Sequence, residues 1–108
     1  MATDVFVVLC TFPDTESAGK VGGALVEERL AACVNFIPQL RSIYEWQGEI
    51  CNDPEALAFI KTTRDRFEPL RARLAELHPY ECPEILGLPV EQGHGDYLRW
   101  VFDVTRPR

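Results

Sequence analysis

The sequence predicts an α+β domain with elements in the order β-α-β-β-α-β. Three observations carry this assignment. Two segments place apolar residues at helical spacing. Each is preceded and followed by a run rich in β-branched and aromatic residues. The two central runs are separated only by a turn signal at Gln47-Gly48-Glu49. That order is the ferredoxin-like pattern, an antiparallel sheet with two helices on one face.

Val5 to Phe12 lacks clean alternation, as a strand buried on both faces does. Pro13-Asp14-Thr15 stops it and offers a helix cap. From Glu16 to about Ala32, small or apolar residues at Ala18, Val21, Gly22, Leu25, Val26 and Leu30 form a helical stripe. Gly22 and Gly23 each weaken a helix interior by about 1 kcal/mol relative to alanine, through close backbone approach or as tolerated weakness. Val34 to Trp46 is a long strand with Val34, Phe36, Leu40, Tyr44 and Trp46 on one parity. Pro38 should create a bulge or mark an edge. Ala56 to Thr63 is the returning strand. Asp65 is the expected cap of the second helix, whose stripe is Phe67, Leu70, Leu74 and Leu77. Pro79 ends it. Glu84 to Val90 is a fourth strand, and Asp96 to Phe102 a short terminal helix.

At 108 residues the chain is expected to form one domain, residues 1–108. Such a chain buries roughly two-thirds of the surface it exposes when unfolded. Apolar residues make up 46% and charged residues 26%, a globular rather than disordered balance. A net charge of -6 repels phosphate backbones, so nucleic acid is not an expected partner. The longest apolar run, Val5 to Cys10, is far short of the ~20 residues of a membrane span. No basic leader precedes it. The four cysteines, Cys10, Cys33, Cys51 and Cys82, form no C-x-x-C pair and read as reduced thiols of a cytoplasmic protein.

In this topology the end of the first strand and the end of the second helix lie at the same end of the sheet. Cys10 and His78 are therefore expected to approach each other, with Glu84 at the opening of the fourth strand. A thiolate with an imidazole suits copper or zinc better than magnesium or calcium. Blander roles exist for the same residues. His78 suits a helix C-terminus electrostatically, and Cys10 suits a core. Cys82 suits a turn before Pro83, and Asp96 suits a helix cap. Lys61, in a central strand, needs a partner or a ligand. Lys61 and Asp96-Tyr97 are expected at the opposite end from His78.

Several segments together resemble the CutA divalent-cation-tolerance family: Val8-Leu9-Cys10-Thr11, Glu28 to Asn35, Ser42 to Gly48, Lys61-Thr62-Thr63, His78-Pro79-Tyr80, Pro83-Glu84-Ile85 and Tyr97 to Trp100. The resemblance runs from about Val7 to Trp100. It implies a PII-like homotrimer linked to copper and other divalent metals. It also implies a copper site at the strand-one cysteine and a His-His pair ending the second helix. Cys10 and His78 match two of those three positions; the third is Leu77 here. The expected metal site is therefore a weaker one, formed by Cys10, His78 and Glu84.

Tyr44, Trp46, Tyr97 and Trp100 are expected interface fillers. Exposed edges of the long hairpin are expected to be covered by subunit contacts. The expected function is a cytoplasmic, trimeric divalent-cation-tolerance protein that binds copper or another divalent metal, with no organic cofactor. Two alternatives stand beside it. One is a PII-like sensor of a small ligand, with Lys61, Tyr80 and Asp96 as contacts. The other is a scaffold for a protein partner. An enzyme is not expected, because no nucleophile has a base beside it in the sequence.

Overall fold

The structure is a computed structural model and describes residues 3–108. Its elements are β1 (Val5–Phe12), α1 (Thr15–Glu27), β2 (Cys33–Trp46), β3 (Glu49–Thr63), α2 (Arg64–Leu77), β4 (Leu86–Pro89) and α3 (Gly95–Val104). The strands form one antiparallel sheet in the order β2-β3-β1-β4. This is the arrangement the element order predicts, followed by the expected terminal helix, which is slightly longer than Asp96 to Phe102. Val8, Cys10 and Phe12 of β1 alternate into a core completed by Leu25 of α1, Ile60 of β3, and Leu70 and Leu74 of α2. A second cluster of Val5, Ala32 and Val101 seats α3 at the other end of β1. Neither cluster reaches the outer half of the hairpin, which explains why β2 is mostly exposed there rather than half-buried.

Local chemistry explains most element ends. Asp14 caps α1 by accepting a hydrogen bond from the Ser17 amide at 2.8 Å. The helix stops at Glu27, short of the expected Ala32, because Arg29 turns left-handed at φ 61°. Its guanidinium then donates to the Arg106 and Asp103 carbonyls at the end of α3. Gly22 meets the expected close approach: a Cβ there would lie 3.1 Å from Val34 Cγ1, whereas one at Gly23 would meet nothing within 4 Å.

The hairpin turns through Gln47 and Gly48, both at positive φ, as a two-residue turn of the type that matches strand twist. A register shift between Ile37 and Leu40 places the expected bulge at Pro38, on an edge strand. β3 begins at Glu49 rather than Ala56. The polar stretch Cys51 to Glu55 has no strand signal of its own and is held extended by pairing with β2. The N-cap position of α2 is Thr63, which makes no side-chain capping bond, and the expected cap Asp65 lies instead in the first turn. β4 is shorter than expected, Leu86–Pro89, so Glu84 belongs to the connector before it.

Candidate functional site

The expected meeting of β1 and α2 occurs, but through the backbone rather than through Cys10. Pro79 cannot continue a helix, so α2 ends at Leu77 and His78 leaves it with extended backbone. That turn swings the His78 ring inward, where it is 7% exposed. Its Nε2 lies 2.8 Å from the Thr11 carbonyl oxygen, and the Tyr80 amide donates to its Nδ1 at 3.1 Å. The amide can only donate, so Nδ1 is the acceptor and Nε2 carries the proton. The ring stacks on Phe12 at 4.5 Å. Burial lowers the His78 pKa, opposed by the bond to Thr11 and by the Glu55 charge. The imidazole is therefore neutral, and both nitrogens are engaged within the chain.

Cys10 is fully buried, and its Sγ lies 3.8 Å from the Thr11 carbonyl oxygen. Burial pushes its thiol up to about 12, assisted by the charges of Glu84 and then Glu55. It stays protonated at neutral pH, and a thiol is a poor metal ligand. Leu77 packs against the core, as its place in the apolar stripe predicts. Glu84 is exposed in the connector. Among the described residues, no three His, Cys, Asp or Glu side chains lie close enough together to hold a metal ion. The expected ligand set of Cys10, His78 and Glu84 is thus not assembled within the chain. Cys10 faces the core, His78 has no free lone pair, and only Glu84 is open to a ligand. Metal chemistry at this triad does not fit the residues as they stand.

The same turn builds a different feature on the open side of the sheet. The connector Pro79 to Glu84 and the hairpin strand Ser42 to Trp46 flank a cleft of about 650 Å³, with Thr11 and Glu55 also lining it. Glu55 is 8% exposed, yet its Oε2 accepts a hydrogen bond from the Tyr80 hydroxyl at 2.6 Å. Burial, followed by that bond, raises the Tyr80 pKa, so the phenol keeps its proton and donates. The Tyr44 hydroxyl donates to Asp53 at 2.6 Å, a bond that pushes its pKa up to about 12. Three carboxylates, Glu55, Glu81 and Glu84, and three aromatic rings, Tyr44, Trp46 and Tyr80, line the cleft.

Lys61 lies elsewhere. It pairs across the sheet with Cys33, and its ammonium donates to Asn35 Oδ1, with Cys33 Sγ 3.9 Å away. Tyr97 approaches the same Cys33, as the expected opposite-end grouping requires. Asp96 is almost fully exposed, 3.9 Å from His94 Nε2, and makes no cap bond to α3. Lys61, Tyr80 and Asp96 therefore do not converge on one ligand. Tyr44, Trp46, Tyr97 and Trp100 are each 42–43% exposed in the single chain. Tyr97 and Trp100 pack on each other, and Tyr44 and Trp46 wall the cleft.

Sequence reasoning missed Glu55. It lies in a polar run that carries no strand pattern, and only the register with β2 and the turn at Pro79 bring it to Tyr80.

Comparison with known proteins agrees with this fold. The family model described as CutA1 divalent ion tolerance protein matches residues 6–104. The divalent-cation tolerance protein CutA of Thermus thermophilus is 52% identical over 99 residues, covering 92% of this chain and 96% of that protein. Protein CutA of Mus musculus is 48% identical over 101 residues; the match covers 94% of this chain but 57% of that longer protein. The crystal structure of CutA from Xylella fastidiosa superposes with a TM-score of 0.94 at 38% identity, covering 96% of this chain and all of that one (100%).

Proposed function

Because this chain belongs to the CutA1 divalent ion tolerance family, we propose that it serves tolerance of divalent cations as a binding and sensing protein rather than as an enzyme. The observation that carries this reading is the cleft of about 650 Å³ floored by the Tyr80–Glu55 bond. A nearly buried carboxylate held by a phenol, beside aromatic walls and open space, is the architecture of a ligand site. Cys10 and His78 act beneath it as structure: the first fills the core and the second ties the connector to β1.

A homotrimer in the cytoplasm belongs to the same proposal. β2 is an edge strand of 14 residues, and Ile37, Ile43 and Ile50 of the hairpin are 48%, 71% and 73% exposed. Such an edge is normally covered. The four free cysteines suit a reducing compartment.

A second reading, direct binding of copper or another divalent metal, draws on the family's description as divalent ion tolerance proteins. Native mass spectrometry under reducing conditions, with and without added copper, separates the two readings. The sensing reading expects a trimer without stoichiometric copper, and a thermal shift by small ligands that Tyr80→Phe or Glu55→Gln abolishes. Tight copper lost in both Cys10→Ser and His78→Ala would replace it with the metal reading.

A further inference from the structure

We propose that Cys33 and Lys61 form an oxidative modification site, at which a hydroperoxide converts the pair into a covalent sulfur–nitrogen cross-link between β2 and β3. Placement is the first argument. Cys33 and Lys61 stand directly opposite each other at the foot of the hairpin, the far end from Ile43 and Ile50. Their strand neighbours Val34 and Ile60 pack in the core, so both side chains project from the other face of the sheet. Opposed residues of an antiparallel pair hold their Cβ atoms about 4.5–5.5 Å apart, and here Lys61 Nζ comes within 3.9 Å of Cys33 Sγ. Both residues are partly exposed, so a small oxidant can reach them.

The surroundings hold the two groups together. Asn35 Oδ1 accepts from the Lys61 ammonium and lies 3.6 Å from the Cys33 sulfur. Tyr97 of α3 approaches the same thiol. Selectivity is the third argument. The chain has two lysines and four cysteines, and the other lysine, Lys20, belongs to α1. Cys10 is sealed in the core, whereas Cys51 and exposed Cys82 make no lysine contact among the described residues. An amine held beside one sulfur turns a chance encounter into an intramolecular step.

The chemistry balances with one oxidant. The Cys33 sulfur gives an electron pair to the hydroperoxide, whose O–O bond breaks. The thiol becomes a sulfenic acid, and the hydroperoxide is reduced to its alcohol, or to water in the case of hydrogen peroxide. The Lys61 ammonium passes one proton to solvent. Its freed Nζ lone pair attacks the sulfenyl sulfur, and the S–O bond breaks. The hydroxyl leaves as water with a second proton from the nitrogen. The product is a neutral S–NH link, and a thiol reductant reverses it. The link removes the Lys61 charge and ties β2 to β3 beside α3.

The test is treatment of the reduced full chain with hydrogen peroxide, followed by denaturing mass spectrometry and peptide mapping. The expected product is lighter by about 2 Da, the two hydrogens lost, maps to a Cys33–Lys61 peptide pair, and is reversed by dithiothreitol. Lys61→Arg keeps the charge but removes the primary amine, so the link should vanish and Cys33 should gain oxygen instead. Cys82→Ser should leave the link unchanged. A loss of about 2 Da that survives in Lys61→Arg is a disulfide and overturns the proposal. So does a wild type in which Cys33 stays unoxidised, or gains oxygen while Lys61 stays free. The wild-type map alone decides the matter if a variant folds poorly.

Discussion

Replacing His78 by alanine tests the assignment of that ring to structure. The substitution removes the bond to the Thr11 carbonyl, the acceptor for the Tyr80 amide, and the stack on Phe12. Each hydrogen bond contributes about 1 kcal/mol, and a packed aromatic pair adds about 0.5–1.5. The expected loss is therefore about 3 kcal/mol. With a urea dependence of roughly 1–3 kcal/mol/M for a domain of this size, the midpoint should fall by about 1–3 M. Protein concentrations must be matched, since subunit association would add to apparent stability. The pH dependence supplies a second readout. The folded pKa of His78 lies below its ordinary 6.5, so just below that value the unfolded chain binds more protons. The contribution of the neutral ring is thus complete above pH 6.5 and is lost as pH falls through the folded value. The wild type should lose stability on acidification from pH 6.5, and the variant should show a flatter profile there. A loss under about 1 kcal/mol with an unchanged pH profile would refute the structural role and return His78 to the list of available ligands.

Three further outcomes can be checked. Gly23→Ala, in open space inside α1, should raise stability by about 0.5–1 kcal/mol, whereas Gly87→Ala, whose Cβ would sit 2.7 Å from Phe67 Cε1, should lower it by about 1–3 kcal/mol; thermal melts of the pair would show opposite signs. Tyr80→Phe strips the nearly buried Glu55 of its donor and should cost about 1–3 kcal/mol in denaturant titrations. In thiol-reagent kinetics at mildly alkaline pH, exposed Cys82 should react first and Cys10, buried and pushed up to about 12, last; rapid reaction of Cys10 in the folded protein would contradict its burial.

Much of the fold is legible in the chain because the relevant signals are local. The stripe of Leu70, Leu74 and Leu77, the breaks at Pro13 and Pro79, and the bulge at Pro38 follow from periodicity and fixed dihedrals. Where the expectation failed, a long-range partner decided. Cys51 to Glu55 looks like a loop and becomes strand only because β2 supplies its hydrogen bonds. α1 stops at Glu27 because Arg29, in the left-handed region, finds the end of α3.

The site divides along the same line. By itself the sequence determined that Cys10, His78 and Glu84 would sit near one end of the sheet, because topology follows from element order. It also determined that Leu77 would face the core. Only the tertiary structure decided what those polar groups do. His78 spends both nitrogens on the backbone of Thr11 and Tyr80, Cys10 keeps its proton in the core, and Glu55 crosses 25 positions to meet Tyr80. The physical reason is that hydrophobic periodicity states which face is apolar, whereas a polar side chain answers to whichever donor or acceptor folding brings within about 3 Å.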